Sequence, residues 1–252
     1  MSFSIRSVVM SLVLGCVMCT FGSGVLGDER AYELRVYTTN PGKLDALHSR
    51  FRDHTTKLFE KHGMTNHAYW VPTDETRKSN TLIYIISHDS KEAAKESWAG
   101  FRGDPTWKEV AEASEKEGKI LAAPPESVYM QATDFSPNNF QSGDQPRLFE
   151  LRRYTTAEGR LPQLLQRFRD GELDLFTKHG MTNVAYYVPD DIPNTLIYVV
   201  AHKDAAAMEA SWAGFREDPE WKKLWQESEQ DGKIVINAER HPMTVVDYSP
   251  LK

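Results

Sequence analysis

The sequence has only two cysteines, Cys16 and Cys19, and both fall within the first 27 of its 252 residues. The remainder is cysteine-free, so it relies on no disulfide and can cross into an oxidising compartment without mispairing. Basic charge is not in excess either. Thirty Lys and Arg against 36 Asp and Glu give a formal charge of −6, which argues against nucleic acid as a partner, because phosphate binding needs a concentrated basic face. HExxH, paired CxxC, P-loop, GxSxG and GxGxxG patterns are all missing. The recurring histidines lack acidic or histidine partners at metal-ligand spacing. No dedicated metal, nucleotide or serine-hydrolase site is therefore expected, and no cofactor is assigned. Beyond the N-terminus no apolar run approaches the roughly 20 residues that span a bilayer, so no membrane segment is expected after residue 27.

The first residues differ from everything after them. Met1 to Ser7 carry one charge, Arg6; Val8 to Leu14 are mostly apolar; weaker apolar sequence with small residues runs to Gly27, and Asp28-Glu29-Arg30 open a charged chain. That is the pattern of a secretory signal cut near Gly27, and it predicts a secreted or periplasmic protein. One arginine is too few for a mitochondrial transit peptide. Val13-Leu14-Gly15-Cys16 loosely resembles a lipoprotein box, but the apolar sequence continues past Cys16.

What is present in quantity is self-similarity. Glu33-Leu34-Arg35-Val36-Tyr37-Thr38-Thr39 returns as Glu150-Leu151-Arg152-Arg153-Tyr154-Thr155-Thr156, and Lys61-His62-Gly63-Met64-Thr65-Asn66 returns as Lys178-His179-Gly180-Met181-Thr182-Asn183. After a three-residue loop deletion, Asn80 to Tyr84 matches Asn194 to Tyr198, and Ser97 to Arg102 matches Ser211 to Arg216. Composition and repeat divide the chain into a signal (1–27), a first domain (28–134), a Pro/Asn/Ser/Gly linker (135–146) and a second domain (147–252).

Each copy reads β-α-β-β-α-β. Residues 32–37 alternate as in a strand. Leu44, Leu47, Phe51 and Leu58 form a helical stripe, repeated as Leu161, Leu164, Phe168 and Leu175. Strands follow around Asn66–Val71 and Thr81–His88, then a helical stretch with Trp98 and Phe101 that restarts at Asp104-Pro105. Last strands are expected near Ser127–Thr133 and Met243–Tyr248. This order predicts an α+β fold of two ferredoxin-like repeats. The sheet face left bare by the helices would be covered by the other copy, giving two sheets packed face to face as a pseudo-dimer within one chain.

The stretches Tyr32–Tyr37, Pro41–Leu44, Lys61–Met64, Tyr69–Pro72 and Ser97–Arg102 followed by Asp104-Pro105, with their second copies, resemble the NIPSNAP family of the dimeric α/β barrel superfamily. The resemblance implies ferredoxin-like domains paired sheet to sheet. It implies no defined reaction: superfamily relatives include cofactor-poor monooxygenases and haem-degrading enzymes, and no catalytic residue carries over to this chain.

Alternation places Glu33, Arg35 and Tyr37 on one face of their strand, about 6.6 Å apart, with Glu150, Arg152 and Tyr154 as counterparts. Assigning Tyr32, Leu34 and Val36 to the helices sends the polar trio into the lumen between the sheets. There, Arg would hold a small organic or anionic ligand while Glu and Tyr orient it or move protons. The competing reading is an ion-pair set, Glu33 with Arg152 and Glu150 with Arg35. Trp70 and Tyr187 are expected as lumen aromatics, and His88 and His202, ending matched strands, as groups at a barrel mouth or turn. The chain thus reads as a small-molecule-binding or interaction module, with a cofactor-independent enzyme of monooxygenase or isomerase type as the alternative.

Overall fold

The structure, a computed structural model, describes residues 30–143 and 147–252. The expected signal, with Cys16 and the cut near Gly27, lies outside the described residues. The first repeat runs β1 (Ala31–Thr38), α1 (Leu44–Arg50), a π-helical turn (Phe51–Thr55), α2 (Thr56–Lys61), β2 (Thr65–Pro72), β3 (Thr81–His88), α3 (Lys91–Gly103), α4 (Pro105–Ser114) and β4 (Glu126–Ala132). The second follows as β5 (Leu148–Thr156), α5 (Leu161–Arg167), a π-helical turn (Phe168–Glu172), α6 (Leu173–Lys178), β6 (Thr182–Pro189), β7 (Thr195–His202), α7 (Ala205–Glu217), α8 (Pro219–Ser228) and β8 (Val235–Val245).

Local chemistry sets the element ends. Gly63 and Gly180 take φ of 78° and 79° just after α2 and α6, a left-handed stop that other residues resist. Asp104 and Asp218 cap α4 and α8, each accepting from a backbone N–H two residues on, with proline in the first turn, where no N–H is needed.

The eight strands close into one antiparallel barrel in the order β1-β3-β2-β8-β5-β7-β6-β4. The sheets therefore do more than face each other. The last strand of each repeat pairs with its own first strand and with the second strand of the other repeat, β4 with β1 and β6, β8 with β5 and β2. Among the described strands, closure leaves no sheet edge for foreign chains to pair with. The order repeats after four strands, so the internal two-fold runs along the barrel axis. β8 begins at Val235, eight residues before the strand expected from sequence, and pairs along β5 from there. Pro124 and Pro125 occupy the corresponding stretch before β4, where missing N–H groups deny a ladder.

Three apolar clusters follow. One lies inside the barrel and draws on both repeats, including Tyr32, Leu34, Trp70, Phe149, Leu151 and Tyr187. The other two lie between sheet and helices, one per repeat: Leu44, Leu47, Phe51, Leu58 and Trp98 in the first, Leu164, Phe168, Leu175 and Trp212 in the second. The helical stripes read from sequence are these inner faces.

Candidate functional site

Trp70 and Tyr187 lie inside the barrel, as expected. The polar trio does not. Tyr32, Leu34 and Val36 point into the barrel, and Glu33, Arg35 and Tyr37 point outward beneath the helices, as do Glu150, Arg152 and Tyr154. The lumen assignment is thus inverted for these six residues, and for His88 and His202, which meet Glu33 and Glu150 at 3.2 and 3.4 Å. The physical reason is that both faces of this sheet are covered. The helices bring indole N–H groups that satisfy the two carboxylates, whereas most of the lumen is packed with apolar and aromatic side chains, Tyr32, Phe149 and Tyr187 among them. The cross-repeat pairing is also corrected: Arg35 Nη1 meets Glu33 of its own strand at 2.5 Å, and Arg152 Nη1 meets Glu150 at 3.0 Å.

Helix α3 delivers the partner. Ser90 caps it, and Ala94, Ser97, Trp98 and Phe101 form its buried face. The Trp98 indole N–H donates to Glu33 Oε2 at 2.7 Å, and Ser127 of β4 donates to Oε1 at 2.5 Å. With Arg35 and His88 these make four donors, which uses the acceptor capacity of a carboxylate. Burial by itself raises the Glu33 pKa, but the hydrogen bond from His88, the charge of Arg35 and the bonds from Ser127 and Trp98 outweigh it and hold the group at about 2. Burial likewise works against the charge of Arg35, yet its tyrosine and glutamate neighbours raise its pKa. The guanidinium lies 4.3 Å from the Trp98 ring centre, a cation–π contact.

The second repeat copies this network with two donors fewer, since Ser127 has no counterpart hydroxyl and His202, 3.4 Å from Glu150, makes no hydrogen bond to it. Trp212 donates to Glu150 at 2.6 Å, and Arg152 donates to the Tyr154 hydroxyl at 3.1 Å. Ser127, which pairs with Arg35 in the ladder, is replaced by Arg240, which pairs with Arg152. Tyr129 is replaced in the same way by Pro242.

Around the first network lies a cavity of about 370 Å³, lined among others by Arg35, Arg50, Trp98, Trp107 and Tyr129. It opens beside the exposed Arg102 and Ser127. Tyr129 is pushed up to about 12, by burial first and the Glu33 charge second. Arg50 is 6% exposed, and its Nε has no hydrogen-bond partner. Its counterpart Arg167 donates from Nε to the buried Glu172 at 2.9 Å. Thr55 stands where the second repeat has Glu172, in the matching π-helical turn. Sequence reading missed Ser127 and Tyr129 because it sought what the repeats share, and these positions differ; it missed Arg50, which the repeats do share as Arg50 and Arg167, because what sets it apart is the exchange at Thr55.

His62 and His179 have a structural role. Each bonds the carboxylate that caps the next helix, Asp104 at 2.7 Å and Asp218 at 2.6 Å. No group of three or more His, Cys, Asp or Glu side chains arranged to hold a metal occurs among the described residues.

A closed barrel of two βαββαβ repeats with helices outside defines the protein as a dimeric-type α/β barrel whose two halves share one chain. The NIPSNAP family model matches residues 32–137 and again 149–250, and the chain belongs to that family. None of the curated proteins matches the sequence. Among solved structures, the fold is similar to two bacterial proteins each described as a "putative monooxygenase". The one from Fusobacterium nucleatum has 11% identity and a TM-score of 0.58, over 88% of this chain and 93% of that one. The one from Lactobacillus acidophilus has 11% identity and a TM-score of 0.51, over 86% and 94%. A NIPSNAP family protein with unknown function from Agrobacterium tumefaciens shares 21% identity over 44% of this chain and 98% of its own, with a TM-score of 0.39.

Proposed function

We propose that this chain is an exported NIPSNAP-family protein that binds a small aromatic anion in the helix-side cavity of its first repeat. The supporting observation is the exchange of Glu172 for Thr55. Arg167 has a carboxylate at 2.9 Å; the Thr55 hydroxyl instead donates to the Arg50 backbone carbonyl, leaving the Arg50 Nε buried and unpaired. Arg50 Nη1 reaches Ser114 at 3.4 Å and the half-buried Glu115 at 3.5 Å, long contacts that leave the buried Nε without an acceptor, and an anionic ligand group supplies one. Trp98, Trp107 and Tyr129 around it suit a planar ring, since aromatic faces stack on rings and on guanidinium groups.

The alternative is a cofactor-independent enzyme, of monooxygenase or isomerase type, in the same cavity; the names of the two structural neighbours accord with it. Binding is the better-supported reading because the Glu33 carboxylate is saturated by four donors and held near 2. So strong an acid, with no free lone pair, is a poor general base at neutral pH. An interaction module, the other role read from sequence, is supported less, since the unpaired group lies in a cavity. The lumen expected from sequence as the binding place gives way to this helix-side cavity for the Glu33 set.

Titration of a panel of aromatic carboxylates, followed by calorimetry, tests the proposal on the natural chain and on Thr55→Glu. At least one should bind the natural chain, and Thr55→Glu should weaken it roughly 10-fold or more while raising the melting temperature. Unchanged affinity in the variant, or no binding across the panel, rejects the reading. Conversion of a bound compound with dioxygen uptake would favour the enzyme instead. Export rests on the signal pattern. The intact mass of the extracytoplasmic protein should correspond to a chain starting near Asp28, and an acylated start at Cys16 would contradict it.

A further inference from the structure

The barrel lumen holds a second cavity, separate from the helix-side site. Its lower part is plugged by aromatics: Tyr32 packs on Tyr187 with ring centres 4.8 Å apart, and Trp70 on Phe149 at 5.9 Å. At the end where β1 finishes, about 320 Å³ remain open, lined by aliphatic and polar side chains from both repeats.

Because the two-fold runs along the barrel axis, every lining position occurs twice, and a symmetric protein would present matched walls. This one does not. Leu34 and Leu151 are true counterparts, pairing with Val128 and His241 respectively. Thus the first repeat places Val36 and Val128 on its wall where the second places Arg153 and His241. A third polar group enters from the β2–β3 connection, which is three residues longer than the β6–β7 connection. That group is Arg77, braced by Asp74 at 2.9 Å and donating to His241 Nδ1 at 2.9 Å. The brace fixes Nδ1 as the acceptor, so neutral His241 carries its proton on Nε2.

Arg153 is the group with capacity left. It makes no hydrogen bond or ion pair among the described residues, and its Nε is buried with no acceptor. Glu239, opposite it in the ladder, is turned to Asn237 at 3.3 Å and His241 at 3.6 Å. A guanidinium with unused donors beside an aliphatic wall is suited to a ligand with one anionic head and one apolar tail. Glu126 and Glu239 also line the cavity, and their charges oppose a second anionic group.

We infer that this end of the lumen binds an aliphatic monocarboxylate, with its head on Arg153 and its chain against Leu34, Val36 and Val128. The test is calorimetric titration of octanoate and of 1-octanol into the full chain, Arg153→Val, Arg153→Lys and Thr55→Glu. Arg153→Val installs the residue that the first repeat already carries at this position, so the fold tolerates it. Octanoate affinity should fall roughly 10- to 100-fold in Arg153→Val, as for loss of a charge-assisted hydrogen bond. Octanol should be unaffected, Arg153→Lys should retain most octanoate affinity, and Thr55→Glu should leave it unchanged. The inference is overturned if octanoate does not bind the natural chain, if Arg153→Val binds it equally well, or if Thr55→Glu removes it, which would locate it in the helix-side cavity.

Discussion

The indole N–H of Trp98 donates to the Glu33 carboxylate at 2.7 Å, joining helix α3 to strand β1 across 65 residues of sequence. Trp212 and Glu150 repeat the bond at 2.6 Å. This pair explains why an ionised carboxylate persists under a helix. Trp98→Phe keeps most of the ring and removes the donor, so it should cost about 1.5–3 kcal/mol, the range for a hydrogen bond to a charged group. Urea denaturation of the variant checks this, and a cost near zero would mean the carboxylate does not need the indole.

Acid should destabilise the protein through Glu33. Its folded pKa is depressed from 4.5 to about 2. The stabilisation is therefore fully present above the unfolded value and lost as pH falls through the folded one. A shift of this size corresponds to roughly 3 kcal/mol. Stability measured by urea melts should decline between about pH 5 and pH 2, and Glu33→Gln should flatten that decline. Glu150 is also lowered and adds to the loss. Glu172 is raised, by burial first, so its contribution runs the other way, favouring the fold at low pH. Glu172→Gln should steepen the acid decline.

Arg35→Met should cost about 3 kcal/mol, because it removes the charge partner of a buried carboxylate. Rescue is specific. Glu33→Gln in the same chain should recover much of the loss, since the ion pair lies within one strand. Glu150→Gln should recover none. A double-mutant cycle by chemical denaturation distinguishes the two, and rescue by Glu150→Gln would contradict the pairing.

A chain ending at residue 143 should not be a stable monomer. It would keep β4 bonded to β1 but lose β6, and would keep β2 without β8. It would also expose the barrel faces of Tyr32, Leu34 and Trp70. Two copies can close a barrel by making the same joins. Light scattering should report a dimer, and a well-folded monomer would refute the interdependence of the repeats.

Much of the architecture was legible because it is written twice. Matched blocks from Glu33 and Glu150 onward fixed two equivalent βαββαβ units, and period-2 and 3.6-residue patterns marked the elements. Sequence also identified which residues share a face: Glu33, Arg35 and Tyr37 on one side of β1, with Tyr32, Leu34 and Val36 on the other. Alternation cannot say which side looks inward when both are buried. That choice belongs to the tertiary structure, where Trp98, His88 and Ser127 converge on Glu33 from three elements. The same holds for function. The exchanges of Glu172 for Thr55 and of Arg153 for Val36 stand in plain view in the repeat, but a lone substitution carries no meaning until a cavity beside it shows which donor is left without an acceptor. Local patterns depend on neighbours along the chain, and so can be read from it. A site depends on side chains brought together from distant segments, and only the closed barrel decides which ones meet.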